Sequence, residues 1–254
     1  MNFSVCNNNV LPINRAYTNF VSSTYPPAAS CKDFFTRENY LDCMLNKDTV
    51  SNMIKSNPVI TKLLRSKNIK PAAGIDNFNK TIRKHCIDTS RNAANIYNFL
   101  TPDLKSQANL NFIKKGALLH DIGKIFIPKE ILNKNGRLAP SEAEIMHLHS
   151  RLGEEMLLTQ NIEPEVLNIV KYHHQNLDGS GYPEIRRTLS EYDINTQITS
   201  LADKYTALRE HRSYKPAKSE DEALAILKNE VDNGQINPYV YNALKGYVNN
   251  HAKI

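Results

Sequence analysis

The sequence predicts an all-α fold, and three observations carry that prediction. Apolar residues recur at helical spacing in one segment after another, prolines and short polar residues stand where helices would start, and strand-like alternation is scarce. No internal repeat of solenoid period is present.

The elements follow in order. The first 30 or so residues are rich in Asn, Ser and Pro and end in the breaker cluster SSTYPPAAS, which reads as an irregular arm. Short helical patterns run from Thr36 to about Asn68, including YLDCML and NMI, with Asn57 before Pro58 as cap and first-turn residue for VITKLLRSK. Lys70-Pro71 and Gly74 then make a break. The expected organisation is a basic, partly irregular N-terminal region over residues 1–75 and a second domain over residues 76–254. Asp76 is expected to cap one long helix, IDNFNKTIRKHCIDTSRNAANIYNFL. Thr101-Pro102 opens another through LKSQANLNFIKKGALLHDIGK, and Ser141 with Glu144 three positions on offers a capping box for EAEIMHLHSRLGEEMLL. Glu163-Pro164 starts EVLNIVKYHH, Asp193 precedes INTQITSLADKYTALRE, and SEDEALAILKNE and NPYVYNALKGYV supply two closing helices.

Composition bounds the class. With 254 residues, 41% hydrophobic and 23% charged, the chain can bury a sizeable core in one or two domains. No window approaches the ~18 uninterrupted apolar residues of a membrane span, and MNFSVCNNNVLPINR lacks the regions of a secretory signal, so a cytoplasmic location is expected. Cys6, Cys31, Cys43 and Cys86 show no C-x-x-C spacing, which points to reduced thiols and away from a zinc ribbon or disulfide framework. The net charge of +6 is uneven: residues 1–75 hold nine Lys/Arg against four Asp/Glu, residues 76–254 hold 23 against 22. No aromatic ladder, basic run or amphipathic repeat accompanies this excess, which argues against a nucleic-acid partner. A protein partner, self-association or partial cover of a site remain as roles for residues 1–75.

Within the helical region lie His85, the pair His120-Asp121, His149, the pair His173-His174 and Asp203, spread over 119 residues at helix-length intervals. Imidazoles and carboxylates together make a nitrogen and oxygen shell suited to iron, manganese, nickel or zinc, and no cysteine pattern suggests a thiolate site. Seven ligands exceed the needs of one tetrahedral ion. A bridging carboxylate can hold two ions, a pair that clamps the attacking and leaving oxygens of an in-line displacement at phosphorus. His147, His211 and His251 read as ordinary surface or core histidines. His147 and His149 stand two positions apart, about 200° around a helix, so they cannot both face one site; spacing alone leaves the choice open.

The blocks HC at 85, LLHDIGK at 118–124, EIMHLH at 144–149, HHQNLDGSGYP from 173 and LADKYTALREHRSY recur in an order that resembles the HD-GYP branch of the HD-domain phosphohydrolases. The resemblance covers roughly residues 78–248, and it implies an HD-domain helical bundle that hydrolyses cyclic di-GMP, to linear pGpG or as far as GMP, with two divalent metal ions, iron or manganese first. It implies that His85, His120, Asp121 and Asp203 hold one ion, with Asp121 bridging to a second on His149, His173 and His174. It selects His149 over His147. Lys124, three residues after Asp121, matches a lysine near the attacked phosphate. The loop Asp178-Gly179-Ser180-Gly181-Tyr182-Pro183 has glycines that permit positive φ and close approach to a ligand, and the resemblance makes Gly181 and Tyr182 substrate contacts, with the tyrosine presented rather than buried. Arg212 and Lys215 match two cations on cyclic dinucleotide phosphates; without the resemblance they are ordinary surface charges.

Three positions depart from the pattern. Thr81 stands where some members carry a glutamate that supports a third metal, so two ions are expected. Thr206 replaces a common acid three positions after Asp203, and His211 replaces another. These departures keep open a mixed cyclic GMP-AMP or another nucleotide ester as substrate; a non-catalytic module that binds a cyclic dinucleotide is a separate alternative, and the intact ligand set argues against it.

Overall fold

The computed structural model describes residues 37–70, 73–183, 192–211 and 216–251. The expected irregular arm, Arg212 and Lys215 lie outside the described residues. Those described form thirteen α-helices and no strand, with a single isolated bridge between Gln175 and Gly181.

Local chemistry sets most of the helix ends. Helices α1 (Arg37–Met44), α2 (Lys47–Ser56) and α3 (Pro58–Arg65) are short. Asn57 caps α3 as expected, its Oδ1 accepting from the Val59 N–H at 2.9 Å with Pro58 in the first turn, a device that contributes about 1 kcal/mol. The single long helix expected after Asp76 is instead two, α4 (Ile75–Thr81) and α5 (Arg83–Asn98), with Gly74 at the start. Thr81 donates its hydroxyl to the Asn77 carbonyl at 2.7 Å, a back-bond that bends helices, and Ile82 breaks the run at φ −112°. The next expected helix also divides, into α6 (Pro102–Gln107) and α7 (Leu110–Leu119), because Asn109 caps the Asn111 and Phe112 N–H groups.

After α7 the chain tightens into a 3₁₀ segment, Ile122–Phe126, followed by α8 (Lys129–Leu132) and α9 (Pro140–Leu157). Pro140 takes the first helical position of α9, so Ala139 is the N-cap and Glu142 accepts its N–H at 2.6 Å; the box expected from Ser141 and Glu144 is displaced by two residues. Helix α10 (Pro164–Tyr172) starts at Glu163-Pro164, and Asp193 caps α11 (Ile194–Arg209) through the Thr196 N–H at 2.8 Å. Ser219 and Glu222 form the capping box of α12 (Glu220–Asp232), and α13 (Pro238–His251) closes the described chain.

Two clusters of buried side chains fill the molecule. One joins α1–α4, the start of α5, the end of α7, the 3₁₀ segment, α9 and α10, and includes Leu41, Val50, Leu64, Phe78, Leu118, Phe126 and Val170. The other joins the later turns of α5 and the earlier turns of α7 to α11, α12 and α13. Helices α5 and α7 enter both. The boundary expected at residue 75 therefore falls within one continuous core, and Asn57 ties the start of α3 to α9 through the Glu155 carbonyl at 2.9 Å. The start of α5, the ends of α7 and α10 and the middles of α9 and α11 come together, and seven histidine and aspartate side chains converge there.

Candidate metal centre

Each candidate ligand sits where its element ends, bends or crosses another. His120 is the last residue of the α7 turn and Asp121 opens the 3₁₀ segment. Neighbours in an α-helix point about 100° apart, so the change of helix at this junction is what brings His120 Nε2 and Asp121 Oδ2 within 3.4 Å. His173 and His174 lie just beyond α10, His149 projects from mid-α9, His85 from the first turn of α5 and Asp203 from α11. Gly123 lets the 3₁₀ segment touch α9: a Cβ there would lie 2.0 Å from the His149 carbonyl oxygen.

All seven expected ligands converge. Asp121, His149, His173 and His174 form one set whose ligand atoms lie within 4.8 Å of one another, and His85, His120 and Asp121 form a second. Asp121 belongs to both. A third overlapping set, His120, His173 and Asp203, ties them together, and Asp203 Oδ1 lies 2.8 Å from His85 Nε2.

The histidine tautomers are fixed by backbone. Nδ1 of His120, His149 and His173 meets the carbonyl three residues earlier, Ala117 at 2.7 Å, Met146 at 2.6 Å and Val170 at 2.9 Å. A carbonyl only accepts, so Nδ1 carries the proton, and in the neutral ring Nε2 presents a lone pair inward. His149 Nε2 and His173 Nε2 face each other at 3.3 Å in a fully enclosed space. Two lone pairs so placed repel unless a cation lies between them. His120 Nε2 and Asp121 Oδ1 are buried and make no hydrogen bond, a cost of about 1–3 kcal/mol per group that a metal ion would remove. The donor set therefore fits divalent metal.

Electrostatics divide the site in two. For His120, burial favours the neutral ring, but Asp121 and Asp203 outweigh it and push its pKa up to about 10. His85 is raised as well, because Asp203 and Glu210 overcome its burial. His149 and His173 are held well below the usual histidine range, first by burial and then by the charges of Lys124 and His174 respectively. Burial likewise brings His174 down to about 4. Burial works against ionised Asp121 and Asp203, yet Lys124 and His120 for the first and His120 and His85 for the second keep both carboxylates charged.

Lys124 Nζ lies 2.6 Å from Asp121 Oδ2. Tyr182 is half-buried, not freely presented: its ring stacks on His147 at 3.8 Å between centroids and lies 4.6 Å from that of His174. His147 thus faces the loop while His149 faces the cluster, which resolves the choice that spacing left open. Gly181 has φ +105°, and a Cβ would lie 2.3 Å from the His174 carbonyl oxygen. The loop is held by Asp178, whose Oδ1 accepts from the Ser180 N–H at 2.9 Å, and by Lys204 on α11, which donates to Asn176 at 2.8 Å. Thr206 is buried, accepting from Asn92 at 2.9 Å and donating to the Ala202 carbonyl at 2.7 Å, whereas His211 is exposed.

One residue escaped the sequence reading. Glu210 Oε1 lies 3.0 Å from His85 Nδ1, across 125 positions of sequence. Its seven-residue spacing from Asp203, two helical turns, was the available signal.

A family model for the HD domain matches residues 49–240. The chain belongs to the HD domain family. A 3′3′-cGAMP-specific phosphodiesterase of Vibrio cholerae is 33% identical over 144 residues, 57% of this chain and 31% of the relative. A cyclic di-GMP phosphodiesterase of Thermotoga maritima is 41% identical over 122 residues, 46% of this chain and 32% of that protein. The chain spans about a third of the length of the curated relatives it matches. Among solved structures, a protein of Bdellovibrio bacteriovorus described as HDG“Y”P shares the fold with TM-score 0.54 at 20% identity, over 84% of this chain and 65% of that one. The HD match starts inside the N-terminal region delimited on sequence, consistent with the shared core. Among the described residues no helix is long and apolar enough to cross a membrane.

Proposed function

We propose that the chain is a metal-dependent phosphodiesterase that opens a cyclic dinucleotide, cyclic di-GMP first, with two divalent ions, iron or manganese. The observation that carries this reading is Asp121, a buried carboxylate common to two ligand sets, with one oxygen that makes no hydrogen bond. Relatives named as cyclic di-GMP phosphodiesterases support the substrate class.

His85, His120, Asp121 and Asp203 would hold one ion, and Asp121, His149, His173 and His174 the other. Ions so held neutralise charge on phosphoryl oxygens and activate water at neutral pH. The chain's own groups do the rest. Lys124 remains protonated, because Asp121 outweighs the burial that would strip its proton, so a fixed positive charge stands beside the shared carboxylate. That charge offsets the negative charge developing at phosphorus. The phenol of Tyr182 stays protonated, held so by burial and by the charges of Asp121 and Asp203, and is a hydrogen-bond donor to a phosphate oxygen. Gly181 brings backbone against the His174 carbonyl and sets the edge of the site. Arg212 and Lys215 grip the second phosphate in this reading.

A second reading replaces the substrate by 3′3′-cGAMP. It is favoured by three relatives named as specific for that nucleotide. Protein loaded with Mn²⁺ or Fe²⁺ under reducing conditions, assayed on cyclic di-GMP, 3′3′-cGAMP and linear pGpG, separates the two. Cyclic di-GMP should turn over fastest and yield the linear dinucleotide. Faster turnover of 3′3′-cGAMP would establish the second reading, and nucleotide binding with no turnover and no stoichiometric metal would reduce the chain to a binding module.

A further inference from the structure

We infer that Glu210 is a positioning residue that aims His85 at its metal ion, a role that rests on reading His85 as a ligand. Its basis is a difference among the buried histidines. His120, His149 and His173 are each oriented by a carbonyl of their own helix. His85 stands in the first turn of α5, directly after the break at Ile82, and its Nδ1 meets the Glu210 carboxylate at 3.0 Å.

Glu210 terminates α11 and turns to extended backbone, its N–H bonded to the Thr206 carbonyl at 3.0 Å. Asp203 lies two turns earlier on the same helix face. One helix therefore holds both edges of the imidazole, Asp203 at Nε2 from 2.8 Å and Glu210 at Nδ1 from 3.0 Å. An ionised carboxylate accepts and never donates, so Glu210 keeps the proton on Nδ1 and leaves Nε2, beside Asp203, as the nitrogen that would bind an ion. Carboxylates behind a ligating histidine fix its ring and strengthen it as a donor, and their loss weakens metal binding roughly 10- to 100-fold. Only the ion on His85 should respond. The set Asp121, His149, His173 and His174 has its own orienting groups and should keep its affinity.

The test is Mn²⁺ titration of chelator-stripped wild type, Glu210→Ala, Glu210→Gln, His85→Ala and the Glu210→Ala/His85→Ala double variant, followed by calorimetry and by electron paramagnetic resonance. Wild type should take up two ions. Glu210→Ala should weaken one of them about 10- to 100-fold, Glu210→Gln less, since the amide oxygen still accepts from Nδ1. In the His85→Ala background Glu210→Ala should weaken metal binding no further, because the proposed effect on the ion runs through His85. Unchanged binding in Glu210→Ala, equal weakening at both ions, or a full additional loss in the double variant overturns the proposal while leaving the metal site intact. If Glu210→Ala lacks a cooperative melt, Glu210→Gln carries the same comparison. Wild type that takes up no metal overturns the two-ion reading itself and this proposal with it, and that result is visible before any variant is made.

Discussion

Lys124 Nζ and Asp121 Oδ2 stand 2.6 Å apart at the mouth of a 3₁₀ segment, with the carboxylate fully buried and the ammonium mostly so. Residues three apart eclipse in a 3₁₀ helix, so the change of helix after His120 stacks the lysine over the shared carboxylate. The backbone agrees, with the Lys124 N–H donating to the Asp121 carbonyl at 2.9 Å. The cation is thus built into the turn that makes the ligand pair.

The two partners should separate on mutation. Lys124→Met should lower turnover at least about 100-fold, the scale of losing one preorganised charge stabiliser, with metal content near that of wild type. Asp121→Ala should abolish turnover and leave fewer than two ions per chain, since it removes the ligand common to both sets. Metal analysis alongside steady-state rates checks both. Retained metal-dependent turnover in Asp121→Ala would defeat the assignment.

Two glycines of the same loop make opposite forecasts. At Gly181 a methyl group would press on the His174 carbonyl at 2.3 Å, whereas at Gly179, φ +81°, it would meet nothing within 4 Å. Gly179→Ala should cost only the backbone strain of positive φ, about 1 kcal/mol. Gly181→Ala must move either the loop or the residue carrying His174, and should cut kcat/KM more than tenfold beyond Gly179→Ala. Equal effects of the two substitutions would show that the contact with His174 does not govern the site.

His147 and His149 share a helix but not a task. His149→Ala should lose one ion, because its Nε2 lies 3.3 Å from both Asp121 Oδ1 and His173 Nε2. His147→Ala should keep both ions and raise KM, because what it removes is the ring stacked on Tyr182. Metal stoichiometry and the split between kcat and KM distinguish these outcomes, and loss of an ion in His147→Ala would contradict the geometry.

What the sequence made legible follows the range of the forces involved. The cap at Asn57 is local chemistry and stands where expected, and α11 starts directly after Asp193 as expected. The histidines and aspartates that converge were legible because ordered blocks mark them, although nothing local says that His120 and Asp121 require a helix that stops between them. Failures arose where two local signals compete. Thr81 back-bonds to Asn77 and ends α4 ahead of Ile82, and Asn109 takes the capping role in a segment that reads as one helix. At α9, Pro140 fixes the start and recruits Glu142, leaving Glu144 to pair with Lys67 at 2.6 Å. The placement of α1–α3 against α9, and of Glu210 against His85, depends on partners about a hundred positions away, beyond any periodicity.

Metal should stabilise the fold measurably. The candidate ligands come from α5, α7, the start of the 3₁₀ segment, α9, α11 and the residues after α10, so the site spans both buried clusters, and an unfolded chain offers no such array. Ions that bind only the native state add stability as RT ln(1 + [L]/Kd), about 2.7 kcal/mol at a hundredfold excess over Kd. For a chain of this size that raises Tm by about 5–10 °C. Chelator-treated protein should melt lower by that margin and recover on addition of Mn²⁺, whereas Asp121→Ala should show little recovery. A wild-type Tm that ignores metal over this range would mean that the histidines and carboxylates hold their arrangement without ions, and the case for a dinuclear centre would fall.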